Sequence, residues 1–122
     1  MKLLLDTHVV LWWMNGELPD ATRELLGREL TVYMSAITPW EISVKQAAGK
    51  LTSTEDLALQ ACNTQFQALP IDAHHGVLAG KLPLHHKDPF DRMLIAQAQS
   101  EGLTLVTRDK FIPLYDVDVL TV

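Results

Sequence analysis

Lys2-Leu3-Leu4-Leu5-Asp6 sets the reading of everything that follows it. The unbroken apolar run reads as a short buried strand, and Asp6 ends it. Outward from there, helical and strand-like stretches alternate. His8 to Met14 reads as helix, and Pro19-Asp20 opens a second helix through Arg28, with Arg23-Glu24 exposed and Leu25-Leu26 buried. Thr31 to Ser35 is the next strand. Thr38-Pro39 begins a helix that stops near Gly49, and Ser53 or Thr54 caps another that runs to about Gln65. Leu69 to Ile71 is strand-like and leads to an Asp72 cap with a helix to Leu82. Asp88-Pro89 starts the best-marked helix, through Ser100, closed by Gly102. Leu103 to Val106 and Val117 to Leu120 complete the strands. Strands separated by helices imply βαβ units and a mainly parallel sheet. The predicted class is α/β: a three-layer α/β/α sandwich with four or five strands.

Composition agrees with that picture. The 122 residues suit one domain spanning 1–122, and 48% are hydrophobic against 20% charged, which excludes disordered and low-complexity chains. A domain of this size buries roughly two-thirds of its unfolded surface, so it needs no disulfide or structural metal. The single cysteine, Cys62, permits no internal disulfide and fits a reducing, cytoplasmic setting. Asp6 interrupts the first apolar run too early for a secretory signal, and the longest run, Val9 to Met14, is too short to span a membrane. Ten basic against fifteen acidic residues give a net charge of −5. Such a molecule does not coat a polyanion, although an enzyme working through bound metal and a few local cations stays open.

The acids then direct attention to one sheet edge. Functional groups in open parallel sheets gather beyond the carboxyl ends of the strands. Asp6 ends the first strand, Glu41 follows the second, and Asp109 follows Leu103–Val106. Asp91 lies in the first turn of a helix whose incoming loop can reach the same edge. Thr38-Pro39-Trp40-Glu41 and Asp88-Pro89-Phe90-Asp91 share a grammar of cap, proline, aromatic and acid. Taken singly, Glu41 and Asp91 read as capping-box acids, Asp6 as a turn residue and Asp109 as a cap for a short turn over Lys110–Leu114. Together, four carboxylates at one edge repel each other unless a cation sits among them. Oxygen-only ligation suits a hard ion, Mg²⁺ or Mn²⁺.

The chain resembles the PIN-domain ribonucleases found as VapC-like toxins of type II toxin–antitoxin systems. The resemblance rests on Leu4-Leu5-Asp6-Thr7-His8 with Leu11-Trp12-Trp13, on Ser35-Ala36 leading to Trp40-Glu41-Ile42, and on Leu105-Val106-Thr107-Arg108-Asp109. Its most specific piece is His85-His86-Lys87-Asp88-Pro89-Phe90-Asp91-Arg92 running into Leu94-Ile95-Ala96-Gln97-Ala98. The resemblance implies an endoribonuclease that uses Mg²⁺ or Mn²⁺ and metal-activated water, with Asp6, Glu41, Asp91 and Asp109 as the acidic site. Thr107 matches a hydroxyl position beside that site, and Asp88 is read first as the helix cap. A small antitoxin protein and a homodimer are the implied partners, with RNA as substrate.

Other residues carry weaker signals. Lys45 and Arg92 stand near the acids and are candidates for phosphate contact, though Glu41–Lys45 is also an ordinary i,i+4 helix pair. His74-His75 and His85-His86 read as surface or satisfied core histidines, since neighbours on a helix point roughly 100° apart. Val9 to Met14 is apolar around its whole circumference, which suits burial or an interface with an antitoxin or a second copy. The rival from another class is a receiver-type phosphoacceptor domain with an acidic Mg²⁺ site. It requires paired acids after the first strand, and here Asp6 stands alone.

Overall fold

The first strand, β1 (Lys2–Leu5), lies at the centre of five parallel strands in a computed structural model that describes residues 1–122. The others are β2 (Thr31–Ser35), β3 (Gln67–Leu69), β4 (Thr104–Thr107) and β5 (Val119–Thr121), in the order β3-β2-β1-β4-β5. β1 pairs with β2 from Lys2↔Thr31 to Leu5↔Met34 and with β4 from Leu3↔Thr104 to Leu5↔Val106. All three β1 leucines are fully buried because both faces of the sheet are covered. Leu3 and Leu5 belong to a cluster with Val9, Val10, Met34 and Ile42, whereas Leu4 packs on the opposite face with Leu94, Ile95 and Leu105. The alternation within one strand thus divides the core into two layers.

Six helices supply the outer layers: α1 (Thr7–Asn15), α2 (Asp20–Arg28), α3 (Ile37–Ala47), α4 (Leu57–Cys62), α5 (Ala73–Lys81) and α6 (Pro89–Glu101). The apolar circumference of α1 is partitioned. Val9 and Val10 enter the core, while Trp12 and Trp13 are half-buried. The Arg108 guanidinium lies 4.2 Å from the Trp12 ring centre, and Arg23 lies 5.0 Å from that of Trp13.

Several boundaries depart from the sequence reading by a few residues, among them the last strand, which runs Val119–Thr121, and three have a visible cause. α3 starts at Ile37, not after Thr38, because the Ser35 hydroxyl at the end of β2 accepts the Ile37 N–H at 3.0 Å. Thr38 instead turns inward and hydrogen-bonds Thr7 at 3.1 Å. Pro39 is tolerated in the first turn, where its missing N–H has no partner to lose. α4 begins later than expected: Asp56 caps it, and Gln46 holds Glu55 O and Leu57 N. β3 ends at Leu69 because Pro70 has no N–H to add to a ladder. No helix is long and apolar enough to cross a membrane.

Candidate metal centre

After β3 the chain returns across the sheet, so β2 and β4 lie on either side of β1 and the strand order reverses there. Ligand sites in parallel sheets form at such a reversal, beyond the carboxyl ends of the strands. Asp6 and Thr107 meet there. The buried Thr107 hydroxyl donates to Asp6 Oδ2 at 2.6 Å and accepts the Asp109 N–H at 2.9 Å, so one side chain ties two acids together. Asp6 Oδ1 accepts the His8 N–H at 2.8 Å and caps α1. Burial works to raise the Asp6 pKa, but the hydrogen bonds from His8 and Thr107 outweigh it and hold the carboxylate below its usual range.

Glu41 reaches the site from the second turn of α3 and is almost fully buried. Since α3 starts at Ile37, Glu41 is not the capping-box acid that its local pattern suggested. Lys45, one turn on, pairs with Oε2. Oε1 is buried without any hydrogen-bond partner. For Lys45 burial works against the charge, yet Glu41, Asp88 and Asp91 keep its pKa raised.

Asp91 stands in the first turn of α6, whose N-cap is Asp88: Asp88 Oδ1 accepts the Phe90 N–H at 2.8 Å. Burial and the negative charges of Asp6, Asp88 and Glu41 push Asp91 up to about 7, with His86 and Lys45 opposing them. Asp109 Oδ1 accepts from Phe111 N and Ile112 N and so begins the 3-10 turn at Ile112–Leu114. Its other oxygen, Oδ2, hydrogen-bonds His86 Nε2 at 3.0 Å, and the same nitrogen lies 3.0 Å from Asp91 Oδ2. A depression of about 340 Å³ lined by His85, His86, Lys87, Asp88 and Phe111 opens beside this group.

The PIN domain family pattern matches residues 3–118. The chain belongs to the PIN domain family. No curated protein matches the sequence. Solved structures do share the fold of this PIN domain. VapBC2 from Rickettsia felis, bound to a promoter DNA fragment, has a TM-score of 0.76 at 19% identity and covers 99% of this chain and 98% of the other. DNA-bound VapBC from Salmonella typhimurium gives 0.76 at 21% identity, with the same 99% and 98% coverage. A toxin–antitoxin complex from Klebsiella pneumoniae gives 0.69 at 19% identity, covering 98% and 97%.

The donor set of this PIN domain fits a hard divalent cation. Glu41 Oε1 is an orphaned, buried carboxylate oxygen, and such an atom costs stability unless a donor or a cation meets it. Asp91 is crowded by three other carboxylates, which a cation would relieve. Arg92, a candidate for phosphate contact, faces inward: Nη1 donates to Pro83 O and His86 O, and Nη2 to Ala79 O and Leu82 O, so it locks a loop. Thr107, expected beside the site, lies there with its hydroxyl between Asp6 and Asp109. His86, read from sequence as a surface or core histidine, sits among the acids. Nothing supports the phosphoacceptor reading, since Asp72, the acid after β3, caps α5 through His75 N.

Proposed function

We propose that residues 1–122 form a single Mg²⁺- or Mn²⁺-dependent endoribonuclease domain and that it acts as the toxin of a toxin–antitoxin pair in the cytoplasm. The observation that carries this reading is the crowd of carboxylates at the strand-order reversal, where burial together with the charges of Asp6, Asp88 and Glu41 pushes Asp91 up to about 7. A group of acids this unfavourable on its own makes sense as a cation site for phosphodiester chemistry.

Asp6, Glu41 and Asp91 would hold the ion, with Asp109 beside them. When bound, such an ion supplies positive charge at the scissile phosphate and acidifies water. The chain's own residues do the positioning. Thr107 and the His8 N–H fix the two oxygens of Asp6. Lys45 holds Glu41 Oε2 and leaves Oε1 available. Lys45 is also the cation beside the acids that can meet a phosphate, in place of the inward-facing Arg92. Asp91 has a pKa of about 7 before any cation binds, so binding of the ion there would displace its proton near neutrality.

The toxin assignment, with its antitoxin partner and homodimer, draws on the shared fold with solved VapBC complexes and on the motif resemblance. The half-buried Trp12 and Trp13 on α1 are the surface we assign to a protein partner. The test is cleavage of a mixed-sequence single-stranded RNA by purified protein with Mn²⁺, with EDTA, and beside Asp91→Asn. Chelator-sensitive cleavage that the variant lacks is the expected result. Equal cleavage by the variant would point to a contaminating nuclease and leave the RNA cleavage unassigned to this protein.

A further inference from the structure

We propose that His86 is a positioning residue of the acidic site, where its Nε2–H holds the Asp109 carboxylate in place next to Asp91. The inference rests on the metal-nuclease reading of that site and adds a residue to it.

The argument starts with the tautomer. The Asp88 backbone N–H lies 3.2 Å from His86 Nδ1 and can only donate, so Nδ1 carries the lone pair. The ring proton therefore sits on Nε2. That nitrogen faces Asp109 Oδ2 and Asp91 Oδ2, each at 3.0 Å, so it presents a donor to both acids. It does not offer them a ligating lone pair. His86 is thus a brace for the acids and not a fourth metal ligand.

A second observation, independent of the acids, is how firmly the ring is carried. The His86 N–H donates to the Tyr115 hydroxyl at 2.8 Å, and that hydroxyl donates to Pro83 O at 2.6 Å. The buried Arg92 guanidinium collects the carbonyls of Ala79, Leu82, Pro83 and His86. Two buried side chains from α6 and from the segment after the 3-10 turn therefore hold the loop that delivers this imidazole. A histidine merely resting on the surface needs no such support.

The consequence follows from which oxygens are engaged. Asp109 Oδ1 is taken by two backbone N–H groups, so His86 governs the remaining oxygen. On the Asp91 side His86 faces Oδ2. Outer partners of this kind orient ligating carboxylates, and their loss typically weakens metal affinity by about 10–100-fold.

The experiment is Mn²⁺ titration by calorimetry on the full chain, comparing wild type, His86→Leu and His86→Gln. His86→Leu should weaken Mn²⁺ binding by about 10–100-fold. His86→Gln, which keeps an N–H donor near the position of Nε2, should recover most of it. Unchanged or tighter binding by a folded His86→Leu, or no recovery in His86→Gln, would overturn the proposal. A long-range ¹H–¹⁵N spectrum of the imidazoles at neutral pH, with the His86 signals identified by their absence from His86→Gln, supplies the readout that needs no metal. An unprotonated Nδ1 with a protonated Nε2 supports the brace, and the reverse tautomer overturns it. If wild type binds no Mn²⁺, the nuclease reading fails and the spectrum alone decides the role of His86.

Discussion

Two histidines in this molecule make nearly the same local contacts with opposite surroundings. His75 accepts the Asp72 N–H on Nδ1 at 3.1 Å and meets Glu101 through Nε2 at 2.9 Å. His86 accepts the Asp88 N–H on Nδ1 and meets Asp109 through Nε2. Each therefore joins a cap residue to a distant acid, and each could be mistaken for a metal triad. Around His75 the histidine is buried while its acids are exposed, with 61% of the Asp72 side chain and 42% of that of Glu101 in water. Around His86 the acids are drawn in as well: Asp109 is partly buried, Asp91 is buried, and Asp6 and Glu41 crowd in behind it. Solvated acids repel weakly and need no counter-ion, whereas buried ones do. Burial of several carboxylates, more than a triad of possible ligands, is what separates a metal centre from a helix cap.

The strongest way to break that distinction is to damage one residue at each place. Asp6→Asn should leave the fold nearly intact and reduce Mn²⁺-dependent RNA cleavage by on the order of 100-fold or more, because the proposed function makes Asp6 a central ligand. His75→Leu should do the reverse, costing about 1–3 kcal/mol of unfolding free energy through the lost hydrogen bonds to Asp72 and Glu101. Its Mn²⁺ affinity should match wild type. Denaturant melts and calorimetry on the two variants check both halves, and a His75→Leu protein that loses Mn²⁺ would erase the contrast.

Acid–base linkage sharpens it further, with opposite signs at the two places. Asp91 is raised by burial and by its acidic neighbours from the usual 3.8 to about 7. Its protonated form is the one the fold prefers, so its contribution is fully present below the unfolded pKa and is lost as pH rises through about 7. Fold stability in EDTA should therefore fall across that window, by at most about 1.4 kcal/mol per pH unit. Asp72 is lowered, chiefly by the hydrogen bond from the His75 backbone, so its contribution is present above the unfolded pKa and disappears in acid. Urea melts across this range on wild type and Asp91→Asn test the point. The Asn variant should flatten the neutral-side slope and leave the acid-side loss in place. An unchanged slope would mean that Asp91 does not titrate near neutrality.

How much of this could be read from sequence depends on how local each signal is. Leu3–Leu5, the Asp6 stop and the Asp88-Pro89 helix start are decided by neighbours in the chain, and the structure has them where the sequence puts them. The start of α3 is not decided locally, because two hydroxyls compete within four residues, and Ser35 serves Ile37 while Thr38 turns to Thr7. That shift of register is what frees Glu41 from a capping role. Arg92 and His86 were opaque for a different reason. Arg92 is committed by carbonyls 6 to 13 residues away, and His86 by an acid 23 residues away. Such partners exist only after α5 and α6 have packed.

The smallest expected effect concerns Asp88, which belongs to both kinds of place at once: it caps α6 and its charge bears on Asp91. Asp88→Asn separates these roles. Asparagine caps a helix about as well as aspartate, so stability at low pH should change by less than about 0.5 kcal/mol. Removing the charge takes away one of the three carboxylates that raise Asp91, so the neutral-side loss of stability should end at lower pH and be smaller in total. Cleavage should persist, because Asp88 Oδ1 is already engaged with Phe90 N. A folded Asp88→Asn protein without Mn²⁺-dependent cleavage would instead make Asp88 a ligand, and the boundary between cap and metal centre would then run through the other side of Asp88.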